Sequence, residues 1–255
     1  MKKKLFVLIT MLALTGPVFG ADQFATLKAS GDALWGDRDQ LPKLQKCIDA
    51  YEKAVQIQPD QEILARLSIG YYWLGNLNPG KSNKKFRKEA YTKGMAHAKK
   101  LTEINPKSAP GIFWDATNNA SFCKEKGFMK SAMNVSTITE QANQVMSIDK
   151  YYYQGGPQRL LARIYWGTPK FFRKKGGKLK DGVALLNEAI SKYPKFALSY
   201  IFLGDTYWEM GEKEKSRQTF EKVLTIPETA LPQFSAEIRR DHQTAKEKLK
   251  EYFKQ

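Results

Sequence analysis

The chain has 255 residues, enough for one large or two small domains, and a formal net charge of +16 at pH 7. A charge of this size is typical of proteins that bind nucleic acid, an anionic membrane or an acidic protein partner. With two cysteines and two histidines, the composition excludes a disulfide-rich scaffold and a histidine metal cluster, and we expect no cofactor.

The first predicted element is a signal peptide over residues 1–20. A basic start, Lys2 to Lys4, precedes an apolar stretch from Leu5 to Leu14 and small residues that lead to cleavage after Gly20 or Ala21. The apolar stretch is too short to span a membrane, and no cysteine lies near its end to carry a lipid anchor. We therefore expect export to the periplasm, where nucleic acid is not an expected partner.

Helical periodicity then recurs through the mature chain, and a proline ends each unit. The segments AVQIQP, LTEINP and AISKYP end at Pro59, Pro106 and Pro194, and a small residue such as Ala54 precedes the proline. This pattern is typical of the second helix of a tetratricopeptide repeat, in which small residues let neighbouring helices approach closely. We predict one all-α domain over residues 21–255, with about five hairpins stacked in a right-handed superhelix and a C-terminal capping helix.

Between two of the predicted hairpin helices, the segment GNLNPGKS, Gly75 to Ser82, matches the phosphate-binding loop of nucleotide hydrolases. That loop follows a β-strand and opens a helix at its Lys-Ser pair, whereas helical periodicity precedes this segment. We therefore interpret the segment as a hairpin loop and expect it not to bind nucleotide.

Two basic insertions, NPGKSNKKFRKEA and TPKFFRKKGGKLKDG, lengthen the repeat. Clustered positive charge with exposed aromatic residues is typical of a contact surface for an acidic protein or for anionic lipid. The candidate contact residues are Lys84, Lys85, Arg87, Phe171, Phe172 and Lys174. The alternative interpretation is that both insertions are solvated loops.

Residues on the concave side of the predicted superhelix form a second candidate surface, because fixed positions of each first helix point into the groove. Counting along the predicted first helices gives Tyr72, Phe113, Arg159, Arg163, Trp166, Asp205 and Trp208. An apolar groove with an arginine pair would suit a small organic anion, since the guanidinium fork can bind both oxygens of a carboxylate. Alternatively, these aromatic rings pack against a terminal helix that fills the superhelix.

No catalytic constellation can be assembled from the sequence. Cys47 lies at a small packing position of a repeat, which favours a buried thiol over a nucleophile, and its pairing with Cys123 is left open. We therefore expect a protein that is not an enzyme and has no metal site.

The order of several segments resembles one particular repeat family. The segments, in chain order, are GDALWGDRD, AYEKAVQIQP, IFWDATNNASFCKEKG, YYQGGPQRLLARIYWGTP and ALLNEAISKYP. They resemble the T component of TRAP transporters, the TatT family, although the lipid-anchor cysteine is missing. The resemblance implies an exported protein that forms homotrimers, partners a periplasmic solute-binding protein (the P component) and offers a groove or conduit for an organic anion or small apolar acid. The alternative is a generic tetratricopeptide adaptor or scaffold that binds envelope proteins or peptides in its concave face.

Overall fold

α-Helices make up nearly all of the chain over the described residues, 16–167 and 177–254 of a computed structural model. The helices are α1 (Gly16–Trp35), α2 (Leu41–Ile57), α3 (Gln61–Asn76), α4 (Lys84–Ile104), α5 (Ala109–Lys126), α6 (Phe128–Ile148), α7 (Tyr152–Gly167), α8 (Gly177–Lys192), α9 (Ala197–Glu209), α10 (Lys213–Leu224) and α11 (Ser235–Phe253). A short 3-10 turn over Pro232–Phe234 precedes α11. No β-strand occurs within these two ranges, and the predicted all-α fold class is confirmed.

The N-terminal end of the chain is described only in part. Residues 1–15 of the predicted signal peptide lie outside the described ranges, and residues 16–20 belong to α1. Among the described helices, none combines the length and the apolar character needed to cross a membrane. Export and cleavage therefore stay predictions.

Consecutive helices in the described ranges pair into five antiparallel hairpins, α1–α2, α3–α4, α5–α6, α7–α8 and α9–α10. Pro59 and Pro106 lie in the turns that follow α2 and α4, as the spacing predicts, because proline cannot continue a helix. The next residue after Pro59 caps α3: the Asp60 carboxylate accepts a 2.8 Å hydrogen bond from the Ile63 N–H. The stacked hairpins form the predicted tetratricopeptide-type superhelix.

Small residues permit the close approach of paired helices. Gly204 on α9 faces the ring of Phe220 on α10, and a Cβ atom at position 204 would lie 2.7 Å from that ring. The carbonyl of Gly204 also accepts a 2.8 Å hydrogen bond from the Ser216 hydroxyl. Any side chain at this position would therefore separate α9 from α10.

The start of α7 contains a left-handed turn. Tyr153 and Gln154 have φ angles of 52° and 56°, and Gly155 follows with 85°. Left-handed backbone is costly for residues that carry a side chain, so the surrounding structure has to hold this turn. Regular helix resumes at Gly156, with Pro157 in its first turn, where a missing N–H is tolerated.

The last helix, α11, lies along the concave face of the superhelix. Its residue Ala236 packs with the core of the N-terminal hairpins, whereas Ile238 and Leu249 pack with the core of α9 and α10. Arg239 forms a 2.5 Å ion pair with Asp39, which lies in the turn between α1 and α2. One helix therefore connects the first hairpin to the fifth.

The C-terminal capping helix stays a prediction: α11 packs mainly on α9 and α10, the last hairpin, and it also forms internal ion pairs. The buried residues of α11 include the charged side chains Glu237 and Asp241 beside the apolar ones. Arg239 and its partner Asp39 are 200 residues apart in the sequence. Glu237 and Arg239 of α11 therefore pair with a distant part of the chain, whereas Lys246, Glu247 and Lys250 farther along the helix are exposed.

Candidate binding surface

The predicted groove residues divide into buried and partly exposed side chains. The buried ones are Phe113, Arg159 and Asp205. The half-buried ones are Tyr72, Arg163, Trp166 and Trp208. The concave face is therefore not one continuous open groove.

Phe113 lies in an aromatic core at the middle of the superhelix. Its ring contacts those of Trp114, Tyr152 and Tyr153, with centroid distances of 5.2, 5.4 and 6.3 Å. The ring of Trp114 lies 5.5 Å from that of Tyr72. The expectation that Phe113 lines an open groove is corrected, because aromatic residues of α3, α5 and α7 meet and exclude solvent there.

Arg159 holds the left-handed turn of α7 and does not face a groove. Its guanidinium donates to the carbonyls of Tyr153 and Gln154 at 2.5 Å each, and to Ser199 Oγ at 3.3 Å. Burial lowers the pKa of Arg159 to about 10, so the side chain stays charged at neutral pH. The guanidinium binds two carbonyls of the left-handed turn and a hydroxyl of α9, which is a structural role.

Charged side chains of α11 bind the first hairpin and α7 in the interior. Glu237, 2% exposed, accepts hydrogen bonds from the Arg38 guanidinium and from the Tyr153 hydroxyl. Arg38 is equally buried, so both members of this ion pair are removed from water. Asp241 is also buried, and burial raises its pKa to about 6 although Arg240 lies 3.2 Å away. These contacts fix the N-terminal half of α11 in the concave face.

Trp208 packs against the C-terminal half of α11. Its ring stacks on Tyr252 with centroids 4.3 Å apart and planes 7° apart, and Phe253 contacts it edge-on at 5.3 Å. The Tyr252 hydroxyl donates to Asp205 Oδ1 at 3.1 Å. These contacts favour the second interpretation of the groove aromatics, in which a terminal helix fills the superhelix.

Positive charge gathers around Asp205 of α9, which Arg163 of α7 and Lys248 of α11 both approach. Arg163 donates to Asp205 Oδ2 at 3.0 Å, and its guanidinium lies 3.8 Å from the ring centroid of Trp166. Lys248 lies 3.6 Å from the other oxygen of Asp205. Lys124 reaches solvent, yet desolvation by the surrounding protein, and then the charge of Arg163, lower its pKa. We call Lys124, Arg163 and Lys248 the cationic cluster.

Only one member of the cationic cluster could be predicted from the sequence. Arg163 follows from the repeat register, which places it on the concave side. Lys124 lies in the last turn of α5, where lysine is common, and Lys248 lies in a run of charged residues. No local signal distinguishes these two lysines from the other lysines of the chain.

The basic insertion after α3 contributes exposed lysines and one fixed arginine. Lys84 and Lys85 are exposed at the start of α4. Arg87 instead binds both oxygens of Glu125 at 2.7 and 2.9 Å and donates to the carbonyl of Asn78 at 3.1 Å. Arg87 therefore secures the loop to α5. The other predicted contact residues, Phe171, Phe172 and Lys174, lie outside the described residues.

The segment that matches the phosphate-binding loop is the turn between two helices. α3 runs into the segment and ends at Asn76, and α4 begins only at Lys84, beyond the Lys-Ser pair. Gly80 adopts a φ of 98°, and its carbonyl accepts a 2.5 Å hydrogen bond from Arg87. A helix precedes the motif where a nucleotide site requires a strand, which supports the interpretation as a hairpin loop.

Both cysteines are buried free thiols. Cys47 lies 3.3 Å from the Gly31 carbonyl, and burial raises its pKa to about 12. A thiol with such a pKa is almost entirely protonated at neutral pH and is a poor nucleophile. Over the described ranges, no group of three or more potential metal ligands comes together.

Fold and surface together define a tetratricopeptide-repeat (TPR) type protein whose own C-terminal helix fills its concave face. The sequence pattern of the family described as regulator of microtubule dynamics protein 1-3 matches residues 29–253. The chain belongs to this family. No sequence among the curated proteins compared with it matches the chain.

Solved TPR structures are similar in fold. A thermophilic TPR protein from Thermus thermophilus superimposes with a TM-score of 0.61 and 14% identity, over 87% of this chain and 98% of that one. The MamA protein gives a TM-score of 0.46 and 17% identity, over 82% and 94% of the two chains. The first similarity supports the TPR fold. The resemblance to the T component of TRAP transporters stays a prediction.

Proposed function

We propose that this protein is a non-enzymatic helical-repeat scaffold that binds an acidic protein partner along one basic edge of the superhelix. We define the basic edge as Lys84, Lys85 and the cationic cluster. The observation that carries the proposal is the position of α11: it occupies the concave face, while Lys84, Lys85 and Lys124 remain exposed outside it. A basic surface of this kind attracts an acidic partner and accelerates its association.

The electrostatics of the basic edge support one continuous surface. The charge of Lys84 acts on Glu125, and Glu125 is already bound by Arg87. Lys124 is the neighbour of Glu125 on α5. The charge of Glu125 raises the pKa of Lys124, and the charges of Arg163 and Lys248 lower it. An acidic surface could therefore contact α4, α5 and α7 together without entering the superhelix.

Site-specific photocrosslinking tests this proposal. A photoreactive amino acid would replace Lys85, whose side chain is 89% exposed, in the full chain produced in its own host. The matched control is Lys99, on the same helix, 77% exposed and near the opposite end. We expect a crosslinked protein at position 85 and none at position 99, because only the first lies on the basic edge.

The crosslinked protein then permits a quantitative check. Its binding to the purified chain should weaken steeply with added salt, because exposed charges are screened beyond about 8 Å at physiological ionic strength. Reversing both Lys84 and Lys85 to Glu should slow association while leaving the circular dichroism spectrum unchanged. Equal crosslinking at both positions, or an association rate that neither salt nor charge reversal changes, would refute the scaffold proposal.

The second candidate is the TRAP-type transport role, acting in the periplasm beside a P component and as a homotrimer. Its structural support is Arg163, which is partly exposed beside Trp166 and could meet an organic anion. A wide conduit fits less well, because Phe113 and Arg159 are buried. Genes for a TRAP permease and a P component next to the gene for this chain would favour it, and a protein retained in the cytoplasm would contradict it.

The description of the matched family names the regulation of microtubule dynamics. For this chain we carry over only the general part of that description, the regulation of a protein assembly through protein contacts. It agrees with the scaffold proposal and adds no partner to it.

A further inference from the structure

The first half of α6 carries no buried residue among those that the structure describes. Over residues 129–137, the described side chains are exposed or half-buried, and the buried residues of the helix begin at Ile138. Most of the stability of a helix in a protein comes from packing one face against the rest of the molecule, because short helices are marginal in water. This part of α6 lacks such packing and would gain stability from a partner.

Two methionines make the outer face of this segment apolar. Met129 and Met133 are 78% and 73% exposed, the highest values among the exposed large apolar side chains of the described residues. They are four residues apart and therefore lie on one face of α6. Ile138, which is buried, follows Met129 by nine residues, or two and a half turns, so this face points away from the core. We call Met129 and Met133 the α6 face.

The surroundings of the α6 face are positively charged. Lys126, in the last turn of α5, is exposed and precedes Met129 by three residues. No acidic residue occurs in the sequence between Glu125 and Glu140, and Arg87 binds Glu125 at 2.7 and 2.9 Å. This ion pair joins the start of α4 to the end of α5, so the basic edge continues along the end of α5 to the α6 face.

The occupant of the α6 face has to complement both its apolar character and its positive charge. A second copy of this chain would place one positively charged surface against another, and the two would repel. A helix that lies in a membrane surface exposes tryptophan, phenylalanine or leucine, and residues 129–137 contain none of them. Methionine, by contrast, is enriched in protein interfaces, because its flexible thioether adapts to the side chains of a partner.

We propose that the α6 face is a docking site for an acidic amphipathic helix of a partner protein. The apolar side of that helix covers Met129 and Met133, and its acidic residues lie beside Lys126. The inference deepens the proposed function and rests on it, because the α6 face extends the basic edge to which the partner binds. It adds that the contacting segment of the partner is helical and apolar as well as acidic.

Isothermal titration of the full chain with three synthetic peptides tests the α6 face. Each peptide is acetylated, amidated and about five helical turns long. The first, the acidic amphipathic peptide, has leucine on one helical face and glutamate on the other. The second has the same residues in an order that gives no apolar face, and the third has lysine in place of glutamate.

The variants replace exposed apolar side chains at the two ends of α6. Met129→Gln combined with Met133→Gln removes the apolar character of the α6 face, and glutamine keeps the helix propensity of methionine. Met129→Leu combined with Met133→Leu keeps the apolar character. The matched control is Ile148→Gln, because Ile148 is 40% exposed at the other end of the same helix. Circular dichroism checks that every variant keeps its helix content.

We expect the acidic amphipathic peptide to bind more tightly than the other two. The double glutamine variant should bind it about tenfold more weakly, because two apolar side chains are no longer available for burial. The double leucine variant and Ile148→Gln should stay within about twofold of the natural chain.

Several results would overturn the proposal. No binding of the acidic amphipathic peptide, or full binding by the double glutamine variant, would show that the α6 face does not dock such a helix. Equal binding of the first two peptides would reduce the interaction to unspecific charge attraction. Cosedimentation of the chain with phosphatidylserine vesicles that requires Met129 and Met133, without peptide binding, would assign the α6 face to a membrane.

The two proposals fail independently. If crosslinking at position 85 captures no partner while binding of the acidic amphipathic peptide still depends on Met129 and Met133, the scaffold role fails and the α6 face stands. If a partner is captured at position 85 and the double glutamine variant binds the peptide as the natural chain does, the scaffold role stands without the α6 face.

Discussion

Glu237→Gln is the substitution that probes the docking of α11 most specifically. Glu237 and Arg38 form an ion pair in which each side chain is 2% exposed, and the Tyr153 hydroxyl donates to the same carboxylate. The glutamine keeps the size and one acceptor oxygen but removes the charge, which leaves the Arg38 guanidinium buried without its counterion. Removing one member of a buried pair costs about 3–5 kcal/mol of unfolding free energy.

For a chain of this size, each kcal/mol shifts the melting temperature by about 2–4 °C, so the loss corresponds to about 6–20 °C. Thermal and urea unfolding, followed by circular dichroism, would measure it. Glu251→Gln is the control on the same helix, where the carboxylate is 62% exposed. We expect a loss below about 0.5 kcal/mol there.

A paired replacement separates the lost charge from lost packing. Arg38→Met combined with Glu237→Leu should recover a large part of the stability, because no buried charge is left unpaired. The reasoning is refuted if Glu237→Gln melts within about 1 °C of the natural chain, as a solvent-exposed residue would. That result would mean that α11 does not dock on the first hairpin.

Three further predictions concern pH, packing and thiol chemistry. Burial raises the pKa of Asp241 to about 6, well above the usual range of an aspartate, so the folded state binds this proton more tightly than the unfolded state. The contribution of Asp241 to the unfolding free energy should therefore rise as pH falls from about 7 towards 4. Asp241→Asn should flatten the pH dependence of urea unfolding in that range. An unchanged slope would contradict the raised pKa of Asp241. Trp208→Ala should lower the unfolding free energy by about 2 kcal/mol in thermal unfolding, roughly half the value for a fully buried ring, because Tyr252 covers one face of the indole. An unchanged unfolding free energy would mean that Trp208 and Tyr252 do not stack. Cys47 should react with a thiol reagent at neutral pH only after unfolding, since burial raises its pKa to about 12, and rapid reaction of the folded chain would contradict its burial.

The repeat could be predicted because its determinants are local. Each proline after a second helix marks a chain segment that cannot continue the helix, and Pro59 and Pro106 lie in the expected turns. Small residues mark close helix contacts, as Gly204 does against Phe220. These signals depend on neighbours a few residues or one hairpin away, so they can be recognised before the fold is known.

The binding surface could be predicted only in part, because its determinants are distant. The repeat register identifies the concave face, but it does not show that α11 occupies that face. Arg239 forms an ion pair with Asp39, 200 residues away in the sequence, and no local pattern predicts this contact. The register predicts that Arg159 faces a groove, and this prediction is wrong. Arg159 binds the carbonyl of Tyr153 in a left-handed turn, and such a turn cannot be recognised in a sequence with helical periodicity. Lys124 can be recognised as a candidate binding residue only once the fold is known.

The central claim is that α11 fills the concave face while the ligand binds at the basic edge. Measuring ligand binding with α11 locked in place tests it most directly. Asp39→Cys combined with Arg239→Cys would place two thiols where an ion pair of 2.5 Å now joins the first hairpin to α11, and a short bis-maleimide would link them. The buried thiols Cys47 and Cys123 should be spared in the folded chain. The comparison is the affinity for the acidic amphipathic peptide before and after crosslinking of the same double variant.

We expect efficient intramolecular crosslinking and an affinity that stays within about twofold of the unlinked variant, because Lys84, Lys85 and the α6 face are exposed with α11 in place. A loss of about tenfold or more on crosslinking would show that the peptide enters the concave face by displacing α11, and it would contradict the account.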